Sequence, residues 1–266
     1  MNKRLFSARY AVLLMCLAAM PALWLASCSD DKQPVNPPPA TGDVFPLKTG
    51  NYYVYDVFHT DTAGVKIDSS RTDSVVVGAA AAVEGKSCFA LSIFKNRSEL
   101  VSGDFSAKES NAAWLYTTLL PYTIELPDIA KLLLPAGRRW TKICDFSNAT
   151  WKVFDTTVTD ITIPAPIPII ADATISITGT RGAKESVTTG GTTYTAQKSM
   201  LVYSVVGKTS GITATTFTFT HEFWIAEDVG IVKESVRGFN IPIPMFSVNQ
   251  IVPGAQRLLL RHNVVK

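Results

Sequence analysis

Residues 216–225 read Thr-Phe-Thr-Phe-Thr-His-Glu-Phe-Trp-Ile, and this stretch decides the fold class. In an extended chain every second residue points to the same side, so threonines fall on one face of this stretch. The opposite face is apolar and carries Phe217, Phe219, Phe223 and Ile225. Such alternation is typical of an antiparallel strand that is buried on one side. The stretch therefore predicts a β-strand with an aromatic inner face.

Similar runs recur along the chain and are rich in Thr, Val, Ile and aromatic residues, which favour strands. They lie at residues 52–58, 74–77, 88–94, 113–117, 151–158, 173–178, 200–206, 230–236 and 258–262. Glycine-containing joints that are typical of hairpin turns lie at residues 62–64, 82–86, 179–182, 189–192 and 208–211. One short helix is predicted at Asp128–Leu134, because Pro127 suits a first helical turn and Pro135 ends the helix.

No Gly/Ser linker or charge run divides residues 45–266, which we interpret as a single β-rich domain. The predicted fold class is therefore mainly β, with antiparallel strands and one short helix that caps the sheet.

The first 27 residues have the composition of an export signal. A basic start is followed by an apolar run over residues 10–25 and then by small residues before Cys28. The run is shorter than the roughly 20 residues that a permanent membrane-spanning helix needs. It also contains Pro21, so a retained membrane helix is the weaker interpretation.

The sequence Leu25-Ala26-Ser27-Cys28 resembles the lipobox of bacterial lipoproteins. In those proteins the cysteine thiol receives a diacylglycerol, and the signal peptide is cut just before that cysteine. The resemblance implies cleavage between Ser27 and Cys28, lipidation of Cys28 and anchoring of the protein in a membrane by its N-terminal acyl chains. The alternative is an ordinary secretory signal with a chance cysteine near its end.

Residues 28–44 comprise the predicted lipidated cysteine and a polar, proline-rich tether. Ser29 after the cysteine resembles the enterobacterial sorting pattern for the outer membrane. The pair Asp30-Asp31 resembles the surface-export signals of Bacteroidota lipoproteins, although an acidic pair in a linker is equally typical of plain solvation. We therefore expect a lipid-anchored protein of the cell envelope, in the outer membrane, that is either periplasmic or surface-exposed.

Two motifs near the ends of the domain resemble recurring segments of uncharacterised Bacteroidota lipoproteins. They are Phe-Pro-Leu-Lys-Thr-Gly-Asn-Tyr-Tyr-Val-Tyr at residues 45–55 and Trp-Ile-Ala-Glu-Asp-Val-Gly-Ile-Val-Lys-Glu at residues 224–234. Those domains are similar to the open half-barrel with a capping helix found in periplasmic lipoprotein carriers. The resemblance implies that the sheet predicted here is curved in the same way. It implies a fold rather than an activity, because the motifs read as a strand start and a hairpin.

Charge and histidine content argue against several functions. The chain has 25 basic and 22 acidic residues, and three of the basic ones belong to the predicted signal peptide, so the remainder is balanced. Without a dense basic cluster, nucleic acid is not an expected partner. The histidines are His59, His221 and His262, and none has a second ligand at zinc-site spacing. We predict no metal, no cofactor and no enzymatic activity, with His221 a hydrogen-bonded residue of the core.

Cys88 and Cys144 are a candidate disulfide in an oxidising compartment, and the alternative is two isolated, buried thiols. Two apolar segments, residues 161–170 and 241–246, are interrupted by prolines, which exclude them from central strands. They are either edge or loop segments over an open end of the sheet, or an apolar rim where a ligand docks. The candidate rim residues are Ile163, Ile167, Ile169, Ile241, Ile243, Met245 and Phe246.

Two functions remain open at this point. The first is that of a non-enzymatic lipoprotein whose half-barrel binds a lipid or another envelope component in an apolar cavity. The second is that of a surface adhesive module that recognises a glycan or a protein through aromatic side chains. The candidates for such a platform are Trp114, Trp140, Trp151 and Trp224, and the alternative is that they are core residues. Exposed Trp114 or Trp151 would favour the second function.

Overall fold

A computed structural model describes residue 43 and residues 45–109, 111–163, 169–209, 212–243 and 248–265. The predicted signal peptide and Cys28 lie outside these residues. Within the described ranges, no helix combines the length and the apolar character needed to cross a membrane.

The described chain is mainly β-strand, which confirms the predicted class. The elements are β1 (Tyr52–Thr60), β2 (Arg71–Val83), β3 (Lys86–Lys95), β4 (Glu99–Glu109), β5 (Ala112–Thr117), α1 (Asp128–Leu132), β6 (Arg139–Asp145), β7 (Thr150–Ile163), β8 (Ile169–Thr189), β9 (Thr192–Thr209), β10 (Ile212–Ala226), β11 (Gly230–Val236), β12 (Phe239–Ile243), β13 (Val248–Val252) and β14 (Gly254–Asn263).

Twelve of these strands form one antiparallel sheet, and β12 pairs with β13 in a separate hairpin. The order in the large sheet is β6-β5-β4-β3-β2-β1-β14-β11-β10-β9-β8-β7. Two meanders, β1–β6 and β7–β11, therefore meet at β14, which pairs with β1 on one side and with β11 on the other.

The sheet is curved into a nearly closed half-barrel, as the family resemblance implied. Register shifts interrupt most of the strand pairs, and β-bulges of this kind bend strands and increase their twist. Strand β6 meets strands β7 and β9 of the second meander through side-chain bonds to main-chain oxygens of β6. The indole of Trp151 donates to the oxygen of Lys142 at 3.0 Å, and the hydroxyl of Ser199 donates to that of Ile143 at 2.5 Å.

The aromatic face predicted for β10 is confirmed, because Phe217, Phe219, Phe223 and Ile225 are all buried in the main core. Rings continue the stack across neighbouring elements: Phe219 lies 4.4 Å from Tyr203 and 4.6 Å from Phe239, measured between ring centroids. The predicted helix is present and two residues shorter than expected. Its Ala130 is buried in the same core, so the helix packs onto the interior of the half-barrel.

One predicted turn is wrong. Residues 179–182 lie inside β8, which runs without a break to Thr189. Gly179 is needed there because a Cβ atom at this position would lie 2.0 Å from the Trp151 ring. The glycine thus makes room for an indole across the strand pair rather than allowing a reversal of the chain.

Candidate functional site

The interior of the half-barrel contains a cavity between the two meanders. The cavity has a volume of about 100 Å³ and opens to solvent. The walls are apolar along most of their surface. The apolar residues that line the cavity are Phe45, Pro46, Leu47, Tyr53, Tyr55, Val75, Val77, Leu91, Ile93, Leu115, Leu119, Pro121, Tyr122, Ile143, Leu201, Phe223 and Ile231.

A buried group of charged and polar side chains lines one part of this cavity. Glu234 on β11 is only 6% exposed, and Arg257 on β14 is 9% exposed. One carboxylate oxygen of Glu234 lies 2.8 Å from Nε2 of His221, and the other accepts from Nη1 of Arg257 at 2.5 Å. Because an ionised carboxylate can only accept, the imidazole nitrogen that faces Glu234 carries the hydrogen.

The guanidinium of Arg257 is held between two tyrosines. It lies 4.4 Å from the ring centroid of Tyr55 and 5.7 Å from that of Tyr122, which is suitable for cation–π contact. The hydroxyl of Tyr122 in turn donates to Asp73 at 2.7 Å. Asp73 is fully buried and also pairs with Arg71, with 3.2 Å between Nε and a carboxylate oxygen. Charged groups of both meanders are thus linked across the cavity.

The electrostatics of this group favour charged Glu234 and charged Arg257. Burial by itself would raise the pKa of Glu234, but the charge of Arg257 and the hydrogen bond from His221 together lower that pKa from 4.5 to about 2. Burial would lower the pKa of Arg257, but Glu234 raises it above its usual range. Burial also raises the pKa of Tyr55 and of Tyr122, although Arg257 acts in the opposite direction. Both tyrosines therefore remain neutral donors.

The predicted status of His221 as a buried, hydrogen-bonded core residue agrees with this arrangement. The partnership of Glu234 with Arg257 was not predicted. Its signal in the sequence was the period-two pattern of β11, which places a charged residue on the face shared by the apolar Val232 and Val236.

The described residues do not bring together three His, Cys, Asp or Glu side chains in a geometry suited to a metal ion. The group at the cavity wall instead places polar and charged side chains, hydrogen-bonded within the protein, beside an apolar surface. An apolar lining with a few polar groups is typical of small-molecule sites.

The predicted apolar rim stays a prediction, because the structure describes the side chains of only two of its residues, Ile163 and Ile241. Ile163 is 7% exposed and Ile241 is 2% exposed, and both belong to the main core rather than to the cavity wall. Residues 161–163 end the edge strand β7 and residues 241–243 lie in the separate hairpin, whereas residues 169–170 begin β8, which lies between β7 and β9. Ile167, Met245, Phe246 and the side chains of Ile169 and Ile243 lie outside the described residues.

The candidate disulfide is not formed, because Cys88 and Cys144 are both free, buried thiols. Cys88 lies on β3 and Cys144 on β6, with β4 and β5 between them in the sheet. Neighbouring strands are about 4.8 Å apart, whereas bridged cysteines need Cα atoms within about 7 Å. Burial raises the pKa of the Cys144 thiol to about 12, which keeps it protonated.

Some tryptophans lie in the core and others lie at the surface. Trp151 is 8% exposed and packs in the core. Trp114 is half-buried and lies beneath two ammonium groups, 4.2 Å from Lys86 and 5.1 Å from Lys142. Next to it, half-buried rings of Phe105, Tyr116 and Trp140 form a row across β4, β5 and β6. We call these three residues the aromatic row.

Comparisons with known proteins give two similar solved structures. One is a candidate lipoprotein of Parabacteroides distasonis, 11% identical, with a TM-score of 0.43. Another is a candidate exported protein with a YmcC-like fold from Bacteroides fragilis, 12% identical, with a TM-score of 0.38. Each alignment covers 84% of this chain and 99% of the other. No protein-family model and no curated protein matches the chain.

Proposed function

We propose that this protein is a non-enzymatic lipoprotein of the cell envelope that binds an apolar ligand inside its half-barrel. The observation that supports the proposal is the cavity, whose walls are apolar on strands from both meanders. A packed core would leave few voids larger than a water molecule, so a space of this size within the sheet is suited to a ligand.

The same proposal includes the cellular location of the protein. Residues 1–27 act as a removable signal peptide, and Cys28 carries the lipid that anchors the protein in the outer membrane. The test is metabolic labelling with radioactive palmitate, followed by membrane fractionation. We expect label in the outer-membrane fraction, and loss of that label in the Cys28→Ser variant. Labelling that persists in the variant would contradict lipidation at this residue.

The ligand is tested on a soluble form that begins at Ser29 and is purified without detergent. Native mass spectrometry with solvent extraction should detect a copurifying lipid at about one molecule per chain. Leu115 lines the cavity and is half-buried, so the Leu115→Phe substitution should occupy part of the space and reduce the bound lipid.

Leu100→Phe is the matched control, because Leu100 is 61% exposed and does not line the cavity. A clean ligand-free mass for the wild-type protein, together with no uptake of added lipid, would refute the carrier function.

A second candidate function, recognition of a glycan or protein at the surface, is favoured by the aromatic row. Its rings are on the outer face of the sheet, because the residues that alternate with them, Leu115 and Thr141, line the cavity. The ring centroids of Tyr116 and Trp140 are 5.3 Å apart and the ring planes are inclined by 53°, so the row offers separate aromatic faces to a sugar or side chain. A glycan array should then show binding that Trp140→Ala abolishes and Leu115→Phe leaves unchanged.

A further inference from the structure

A short segment before β1 connects the two meanders. We call the following residues the strap: Asp43, Phe45, Pro46 and Leu47. Nζ of Lys108, which lies on β4 in the first meander, donates to the Asp43 carboxylate at 2.5 Å. The main-chain N–H of Asp43 donates to the side chain of Asp228 at 2.9 Å, and its carbonyl oxygen accepts from the N–H of Asp228 at 2.8 Å. Asp228 lies between β10 and β11, so the strap spans from one meander to the other.

The strap also separates two spaces. Phe45 and Leu47 line the interior cavity, and both also line a groove of about 620 Å³ that is open to solvent. The groove continues over β2, β3 and β4, where it is lined by Ala80, Phe89 and Ala107 among others. Phe45 is only 7% exposed and packs in the main core. The strap is therefore the wall between the cavity and the groove.

The cavity has room for only a small part of a lipid. Its volume is about 100 Å³, whereas a cavity that holds one benzene molecule measures about 150 Å³. An acyl chain can therefore enter only if the cavity gains space. The strands are fixed in the sheet by main-chain hydrogen bonds, so this space has to come from a segment outside the strands.

Two such segments line the cavity, and they are held differently. Residues 118–122 include Tyr122, whose hydroxyl donates to the fully buried Asp73. The strap is held at its outer end by the ion pair of Asp43 with Lys108, whose side chains are 46% and 35% exposed. Ion pairs between side chains exposed to this extent add little stability. The outer end of the strap is therefore the part of the wall that is displaced at the lowest cost.

The inner end of the strap is held more firmly. The oxygen of Pro46 accepts from Nδ2 of Asn51 at 3.0 Å and from the hydroxyl of Tyr53 at 3.3 Å. Asn51 is fully buried, and its side-chain oxygen also accepts from the main-chain N–H of Val265 at 2.9 Å. Pro46 is thus a fixed point about which the preceding residues can turn outward.

We propose that the cavity and the groove are two parts of one ligand site, and that the strap opens to join them when an amphiphile with a long apolar chain binds. This inference rests on the proposed function and adds the entrance and the second part of the site. In the closed state that the structure shows, the Phe45 ring divides the site. In the open state Phe45 leaves the wall, and the apolar chain of the ligand takes its place.

The first test locks the strap with a disulfide in the soluble form that begins at Ser29. The variant Asp43→Cys/Asp228→Cys places thiols on two residues that a main-chain hydrogen bond holds side by side. Cys88→Ala is added, because Cys88 lines the groove and could pair with a new thiol. Mass spectrometry verifies the disulfide by the loss of two hydrogen atoms.

The probe is N-phenyl-1-naphthylamine, an uncharged dye whose fluorescence rises in apolar surroundings. Its three rings do not fit into the closed cavity, because even one ring needs about 150 Å³. Stopped-flow fluorescence measures the rate of dye binding. We expect the oxidised variant to bind at least about tenfold more slowly than the same variant in dithiothreitol, because only the reduced strap can open.

The second test loosens the strap without a new covalent bond. Lys108→Met removes the ion pair with Asp43, and Asp228→Gly removes the side-chain acceptor at a residue whose φ of 60° suits glycine. Apparent affinity rises in proportion to the open fraction, so Lys108→Met/Asp228→Gly should bind the dye about threefold to tenfold more tightly. Lys152→Met is the matched control, because Lys152 forms a surface ion pair with Asp155 and lines neither space.

Two results separate the two proposals. If Leu115→Phe weakens dye binding, but oxidation leaves the binding rate unchanged and the loosened variant has wild-type affinity, the strap is not the entrance and the carrier function stands. If the dye does not bind the wild-type protein, or if Leu115→Phe has no effect on binding, the cavity is not the ligand site and both proposals fail.

Discussion

Substitution of Glu234 by Gln should destabilise the domain by about 3 kcal/mol at neutral pH. The magnitude follows from the lowering of the Glu234 pKa from 4.5 in the unfolded chain to about 2 in the folded one. It agrees with the usual cost of breaking a buried ion pair, because Arg257 would keep its charge with only 9% of its surface exposed. Urea unfolding, followed by circular dichroism, measures this difference.

The sign of the pH dependence provides a second measurement. The folded state lowers the pKa of Glu234, so the stability it contributes is complete above about pH 4.5 and is lost as the pH falls towards 2. Asp145, whose pKa is also lowered to about 2, adds to the loss in both proteins and cancels in the comparison. The free energy of unfolding of the wild-type protein and that of Glu234→Gln should therefore converge on acidification.

The double variant Glu234→Gln/Arg257→Met is the control. Neither charge is then left unpaired, and a methionine between Tyr55 and Tyr122 keeps an apolar contact with both rings. We expect its stability to lie within about 1 kcal/mol of the wild-type value. Two results would refute a stabilising role of the buried Glu234–Arg257 ion pair. In one, Glu234→Gln alone lowers the free energy of unfolding by less than about 1 kcal/mol. In the other, the double variant lowers it as much as the two single variants together.

Three further substitutions or treatments test other parts of the structure. Gly179→Ala should destabilise the domain by about 3 kcal/mol, because the new methyl group would overlap the Trp151 ring; an unchanged urea midpoint would contradict this packing. Phe219→Ala should cost about 4 kcal/mol in the same assay, since it removes the middle ring of the stack between Tyr203 and Phe239. In the form that begins at Ser29, a thiol reagent should label Cys144 only after unfolding, and a reductant should leave the melting temperature unchanged; a lower melting temperature would indicate a disulfide.

The sequence was sufficient for features that depend on local pattern. The alternation in residues 216–225 correctly assigned Phe217 and Phe219 to the interior, because a half-buried strand imposes its period directly on the residue types. The short helix was predicted for a similar reason, since the prolines on either side fix its limits. Strand β4 was missed because Gly103 and several polar residues weaken the alternation over residues 99–109.

The candidate site could not be predicted in the same way. Glu234 and Arg257 are 23 residues apart, and they meet only because β14 pairs with β11 in the centre of the sheet. The glycine at position 179 was misread because its role is to face Trp151 on a neighbouring strand, which is a contact between residues 28 positions apart. Pairings between distant strands determine both features, and no local pattern encodes them.

The place of β14 in the sheet sets the order in which the domain can be completed. Its residues 254–263 pair with β1 on one side and β11 on the other, so the first meander has no direct pairing to the second before these residues arrive. A chain that is made or exported from its N-terminus exposes the edge of β1 throughout that time. The two meanders can therefore join only after β1 and β14, the strands farthest apart in the sequence, have paired. Contacts between such distant segments form slowly. Until then the unpaired edge of β1 can pair with other strands and cause aggregation.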